Sequence, residues 1–236
     1  MIKFENTEVM NFEGAFRGMR NPLNSWDKSN SVYCWEKDTC KDCTYQFKQD
    51  TPQYKKCTED TYILGIEDIK LAQKLIKAGS DHRKFMRQIF VSVDITAPLY
   101  WWKEFDTYKV GTVSNSCSTM HKIHAKEFTL EDFSHEHLDK ESIVVLESII
   151  EALNCNRNIF NGDVALADGS TRKDYWWNMI QLLPSSYNQR RTITLTYENL
   201  RNIRGSRRNH KLDEWSIGFM KWIDSLPYAE ELIKFK

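Results

Sequence analysis

Residues 88–121, "QIFVSVDITAPLYWWKEFDTYKVGTVSNSCSTMH", decide the fold. Ile89, Val91, Val93 and Ile95 alternate with Phe90, Ser92, Asp94 and Thr96, which is the period-two pattern of a strand with one buried face. Pro98 then opens a helix, where its missing N–H is not needed. Trp101, Trp102, Phe105 and Tyr108 follow at roughly helical spacing. Behind this aromatic entry comes a run of small hydroxyl and amide side chains, Thr112, Ser114, Asn115, Ser116, Ser118 and Thr119. Two explanations stand: a turn rich in backbone-capping residues, or hydroxyls and amides pointed at a ligand.

Working outward, "GIEDIKLAQKLIKAG" (65–79) places Ile66, Ile69, Ala72 and Ile76 at helical spacing, with Glu67 and Asp68 in the first turn and Gly79 as a stop. "DKESIVVLESIIEALN" (139–154) predicts a strong helix burying Val145, Ile149 and Leu153, and "STRKDYWWNMIQLLP" (170–184) another, ended by Pro184. "RRTITLTY" (190–197) reads as a second strand and "ENLRNIRGSRR" (198–208) as a polar helix. "KLDEWSIGFMKWIDSLP" (211–227) puts Leu212, Trp215, Phe219, Trp222 and Ile223 on one face of a final amphipathic helix. The expected class is α+β, with several long helices and a small, mainly antiparallel sheet. Residues 1–60, with the turn-rich "MRNPLNSWDKSNS" (19–31), are expected to form an irregular cysteine-containing segment, and 61–236 one folded α+β domain.

Composition bounds the function. Lys+Arg and Asp+Glu both number 33, and a zero net charge argues against a protein whose main business is coating nucleic acid or an acidic membrane. A basic concentration does stand out between 188 and 211. No run reaches the roughly 18 apolar residues of a membrane span. The charged N-terminus "MIKFENTEVMNFEG" lacks the apolar core of a signal peptide. The expected location is the cytoplasm, where cysteines are free thiols or metal ligands rather than disulfides. Cys34, Cys40, Cys43 and Cys57 crowd the first quarter around "CKDC", a C-x2-C knuckle. They are read as ordinary thiols or as a four-thiolate zinc site. "HKIH" (His121, His124) and "HEH" (His135, His137) offer imidazoles for a metal-dependent hydrolase, without a carboxylate set at known spacing.

The order of helix, strand, Ala97-Pro98, aromatic helix and polar loop resembles the flavin-dependent thymidylate synthases. Their signature R-H-R-x-x-S-x-N-E-x-S-x-R falls, with one residue inserted near Ser114, on Thr107-Tyr108-Lys109, Thr112, Asn115-Ser116, Ser118 and Met120. Toward the C-terminus Leu183-Pro184, Leu200, Asn202, Arg207 or Arg208, and Trp215-Ser216-Ile217 match the family's order. The resemblance covers about residues 65–235. The charges of the signature differ here: R-H-R is Thr107-Tyr108-Lys109, the Glu is Ser116, the last Arg is Met120, and an upstream Glu-His is Arg87-Gln88.

The resemblance implies a divergent member of that family with a degenerate signature, a homotetramer with sites shared between subunits. Reduced FAD would pass a one-carbon unit from methylene-tetrahydrofolate to a pyrimidine nucleotide such as dUMP, with NADPH as hydride source. If active, the chain would be a flavin-dependent methyltransferase. It places Thr107, Tyr108, Lys109, Asn115 and Asn202 at the flavin, and Ser116, Ser118, Arg207 and Arg208 at the substrate. Guanidinium suits the nucleotide phosphate because it binds in a bidentate manner. Without the resemblance, arginines on a polar helix read as a solvated face and Asn202 as a surface residue. Two further readings are carried: a nucleotide-binding protein on the same fold without flavin chemistry, and a metal- or nucleic-acid-binding module using the cysteines and the basic cluster.

Overall fold

The central strand shows the alternation expected of it. In this computed structural model, which describes residues 2–34, 62–167 and 169–236, β4 (Phe90–Pro98) turns Val91, Val93, Ile95 and Ala97 into the core and Phe90, Ser92, Asp94 and Thr96 outward. Full burial of each such aliphatic side chain is worth roughly 1.5–3 kcal/mol, so this one face fixes the strand's register. With β1 (Lys3–Met10), β5 (Val113–Ser116) and β6 (Asn188–Thr196) it makes a small antiparallel sheet in the order β1-β4-β6-β5. β2 (Val32–Tyr33) and β3 (Tyr62–Ile63) form a separate antiparallel pair in the register Val32↔Ile63.

Helices supply the rest: α1 (Phe12–Arg20), α2 (Ile66–Lys77), α3 (Leu99–Phe105), α4 (Lys140–Asn161), α5 (Arg172–Leu182), α6 (Tyr197–Arg207) and α7 (Met220–Asp224). Two short π-type segments, Glu214–Phe219 and Ala229–Ile233, flank α7. The amphipathic 211–227 stretch therefore buries Trp215, Phe219, Trp222 and Ile223 as its pattern requires, through a wider coil than a plain α-helix. Among the described residues no helix is long and apolar enough to cross a membrane.

Tertiary contacts divide the chain into two compact units that do not part at residue 60. Unit 1 comprises Met1–Glu5, Asp94–Thr107 and Ser114–Thr192; unit 2 comprises Asn6–Val93, Tyr108–Val113 and Ile193–Lys236. Where an irregular segment is expected at the N-terminus, the described residues hold a strand and a helix, β1 and α1. The strand escapes a reading by hydrophobic pattern because "KFENTEVM" is an edge strand carrying Lys3, Glu5 and Glu8, the kind of charge that blunts an exposed sheet edge.

In unit 1 the aromatic helix α3 is core. Trp101, Trp102 and Phe105 are buried against one another with ring centroids 4.8–5.4 Å apart. The Trp102 indole donates to the Gln189 carbonyl at 2.9 Å, and the Arg191 guanidinium lies 4.2 Å from the Trp102 ring centroid. A second cluster joins α4 and α5 to the preceding loop through Ile123, Phe128, Phe133, Leu146, Ile150, Leu153 and Met179. Helix α4 starts where Asp139 accepts from the Ser142 N–H at 2.8 Å and stops at Gly162, whose φ of 94° is left-handed. Its buried stripe is Leu146, Ile150 and Leu153, with Ile149 half-buried. Val145, expected inside, is 60% exposed. The helix carries two adjacent apolar stripes, and its packing against α5 selects the other one.

Unit 2 is organised on a buried ion pair. Arg20 on α1 donates from Nε to Asp68 on α2 at 2.6 Å, with side-chain exposures of 4% and 0%. The hydroxyls of Ser29 and Ser31 and the backbone N–H groups of Asn30 and Ser31 also donate to Asp68. Arg20 is satisfied in turn by the carbonyls of Ser25 and Lys28.

Candidate functional site

In unit 2 the loop 108–113 is fastened to the start of α6 by one side chain. Asn199 closes a capping box in which its Oδ1 accepts from the Thr196 N–H at 3.1 Å and the Thr196 hydroxyl at 2.7 Å. Its Nδ2 is left to donate to the Val110 carbonyl at 2.7 Å. Gly111 follows at φ 75°, where a Cβ would stand 3.0 Å from Asn199 Oδ1. The left-handed backbone and the close approach both call for glycine. Thr112 turns its hydroxyl back onto the Tyr108 carbonyl.

This loop, the turn Lys84–Gln88 and α6 enclose a cavity of about 780 Å³ lined by Arg83, Arg87, Phe90, Val110 to Val113, Thr194, Thr196, Glu198, Asn199 and Asn202. Its charges are gathered on one carboxylate. Glu198, 5% exposed, accepts from Arg83 Nε on one carboxylate oxygen at 3.0 Å and from Arg87 Nε on the other. Arg83 reaches on to Asn202 Oδ1 at 3.4 Å, and Arg87 to the Ser80 carbonyl at 3.3 Å. Two guanidiniums against one carboxylate leave a net positive charge in the lining. The hydrogen bond to Glu198, with its charge, raises the Arg87 pKa above its usual value. Phe90, Val110 and Val113 add apolar lining.

Unit 1 holds a second cavity of about 730 Å³, lined among others by Lys3, Cys117, Ser118, His135, Tyr187, Asn188, Gln189 and Arg190. His135 is oriented by a 2.8 Å contact of its Nδ1 with the Phe133 carbonyl. Arg190 pairs with Asp94 at 2.7 Å and Glu5 at 3.4 Å, and the Asp94 hydrogen bond raises its pKa.

The residues singled out in the sequence fall as follows. Asn202 lines the unit 2 cavity, as does the loop carrying Thr112. Ser118 lines the unit 1 cavity, and its Oγ accepts from the N–H groups of Met120 at 3.3 Å and His121 at 2.9 Å. Thr107 donates its hydroxyl to the Glu104 carbonyl at 2.7 Å. Asn115 and Ser116 are exposed on β5, and Lys109 is exposed. Tyr108 and Arg207 meet in unit 2, outside the cavity lining, and Arg208 is an exposed helix end. The hydroxyl-rich run is thus partly a set of backbone caps, Thr107, Thr112 and Ser118, each spent on a neighbouring main-chain group. Arg83, Glu198 and Asn199 escaped the sequence reading. The spacing of Arg83 and Arg87, four residues apart, was their one visible signal.

Among the described residues no cluster of three or more His, Cys, Asp or Glu is arranged to hold a metal. Cys40, Cys43 and Cys57 lie outside the described residues, and Cys34 is half-buried.

The sequence matches no family model and no curated protein. Solved structures do match in fold. The structure of thymidylate synthase X from Helicobacter pylori with FAD and dUMP superposes with a TM-score of 0.60 at 12% identity, over 99% of this chain and 96% of that one. A second structure, the flavin-dependent thymidylate synthase of the same organism complexed with FAD and dUMP, gives a TM-score of 0.61 at 13% identity, over 99% and 97%. At such identity the likeness is one of fold.

Proposed function

We propose that this chain is a divergent flavin-dependent thymidylate synthase-like enzyme, binding FAD and a pyrimidine nucleotide such as dUMP and transferring a one-carbon unit to the base. One observation carries the reading: Asn202, expected at the flavin, and Thr112, on the signature stretch, come from two distant parts of the sequence and line the same cavity of unit 2. The solved structures of like fold hold FAD and dUMP, which supports the same ligands here.

The lining fits a flavin nucleotide in kind. Phe90, Val110 and Val113 offer apolar surface to a ring, Asn202 offers an amide, and the charged lining is net positive. A bound flavin supplies the redox and one-carbon chemistry. The chain's own residues would then bind and orient it: Asn202 by its amide, Asn199 by holding the loop against α6. In unit 1, Ser118 still has its hydroxyl proton to donate and shares its cavity with Asn188, whose amide is able to meet a nucleotide's base edge. Folate as donor, NADPH as hydride source and a homotetramer complete the proposal. Val144 and Val145, each 60% exposed on α4, with Trp177 and Leu182 on α5, supply apolar surface in unit 1 that self-association would cover.

The test is titration of the purified protein with FAD, followed at the flavin absorbance near ~450 nm, and with dUMP by calorimetry. Binding of both, with dUMP weakened in Ser118→Ala, is the expected result; binding of neither removes the reading. A specific observation favours the second reading, nucleotide binding without flavin chemistry. Thr107, Tyr108 and Lys109, at the signature's R-H-R positions, are absent from the cavity lining, and Tyr108 is engaged by Arg207. Binding of dUMP without FAD would establish it.

A further inference from the structure

The unit 2 cavity has an oddity that the resemblance does not explain. It is cationic although the signature's arginines are missing from this chain, and its charge comes from the turn ahead of β4. Arg83 and Arg87 sit side by side because each takes a different oxygen of the same carboxylate, Glu198. Each spends Nε on that carboxylate and Nη2 on Asn202 or Ser80, and the Nη1 group of each has no protein partner among the described residues. Glu198 neutralises only one of the two. A half-compensated guanidinium pair with unspent donors beside apolar lining is suited to an anion with two adjacent oxyanionic groups.

We infer that Arg83 and Arg87, bridged by Glu198, form a clamp for the diphosphate of a nucleotide ligand whose ring lies toward Phe90. In this chain the positive charge for that ligand would come from Arg83 and Arg87, ahead of β4, rather than from positions 107–109. The inference rests on the reading of the cavity as a nucleotide site, and it names the ligand's charged end and the groups that take it. Glu198 acts as a positioning residue: it holds the two guanidiniums at one spacing and does not itself contact the ligand.

The experiment is calorimetric titration of the full chain with inorganic pyrophosphate, ADP and FAD, on wild type, Arg83→Gln, Arg87→Ala, Arg87→Lys and, as a control, Arg208→Ala. Arg87 is exposed, so Arg87→Ala and Arg87→Lys leave the core intact. Pyrophosphate and ADP are expected to bind wild type and Arg208→Ala alike. Binding should weaken at least roughly tenfold in Arg87→Ala and in Arg83→Gln, with Arg87→Lys recovering only part, since an ammonium is not bidentate. The affinity of wild type should also fall with added salt. Pyrophosphate binding that is unchanged in both Arg83→Gln and Arg87→Ala, or absent from wild type, overturns the clamp. FAD binding that persists unchanged in those variants overturns the clamp and leaves the flavin reading standing. Pyrophosphate and ADP binding that depends on Arg83 and Arg87, without FAD binding, keeps the clamp and removes the flavin.

Discussion

Arg207 and Tyr108, 99 residues apart, are joined by a hydrogen bond from Nε to the phenolic oxygen at 2.8 Å. The same guanidinium lies 5.6 Å from the Tyr108 ring centroid and 5.2 Å from that of Trp215. The arginine thus fastens the start of the 108–113 loop to the end of α6. Arg208, the next residue, is exposed as the helix cap.

The two neighbouring arginines therefore differ in what their loss does. Arg207→Ala is expected to destabilise the fold by about 1.5–3 kcal/mol, the range for a hydrogen bond to a charged group, while Arg208→Ala stays within about 0.5 kcal/mol of wild type. Urea unfolding at neutral pH measures both. Equal midpoints for the two variants would show that the Tyr108 contact contributes nothing.

Gly111→Ala should loosen the same loop. A β-carbon is strained at φ 75° and would meet Asn199 Oδ1 at 3.0 Å, within the group that caps α6. The expected cost is about 1–2 kcal/mol. Asn199→Ala, which removes the cap and the bond to Val110, should cost a similar amount. The double variant should cost less than the sum, because both changes act on one contact. Strict additivity in a thermal-unfolding cycle would separate the glycine from the cap.

The buried pair of unit 2 predicts an acid limit. Burial alone would raise the Asp68 pKa, but hydrogen bonds from Ser31, Ser29 and Arg20 outweigh it and hold the carboxyl below its ordinary value. A depressed folded value means the contribution is complete above the unfolded pKa, about 3.9, and is lost as pH falls through the lower folded one. Stability should therefore drop below about pH 4, and Asp68→Asn should show a shallower fall there. At neutral pH Asp68→Asn or Arg20→Ala is expected to cost about 3–5 kcal/mol, since either leaves a buried partner uncompensated. A variant as stable as wild type at pH 7 would contradict this.

Ser118→Ala carries a structural prediction separate from ligand binding. Its Oγ accepts from two backbone N–H groups, so its loss should cost about 0.5–1.5 kcal/mol of stability with no nucleotide present. Ser116→Ala, exposed on β5, should be neutral within about 0.5 kcal/mol. Chemical denaturation of the two variants decides whether Ser118 is a cap as well as a candidate ligand.

The sequence by itself determined the elements whose signal is periodic. The alternation of Val91, Val93 and Ile95 fixed the central strand, and Trp215, Phe219, Trp222 and Ile223 fixed the buried face near the C-terminus, because burial of apolar area is set by spacing along the chain. It also singled out the polar loop by its composition, and the family resemblance singled out Asn202. Tertiary structure alone decided the rest. Helix α4 has two apolar stripes, and only its contact with α5 chooses Leu146 over Val145. The edge strand β1 carries too many charges to announce itself. The pairing of Arg83 and Arg87 on Glu198 spans more than a hundred residues. A charged side chain has no period to read, and its partner is fixed only when folding brings two distant segments within hydrogen-bond reach. So the strand and the helices were legible in advance, and the charged lining of the cavity was not.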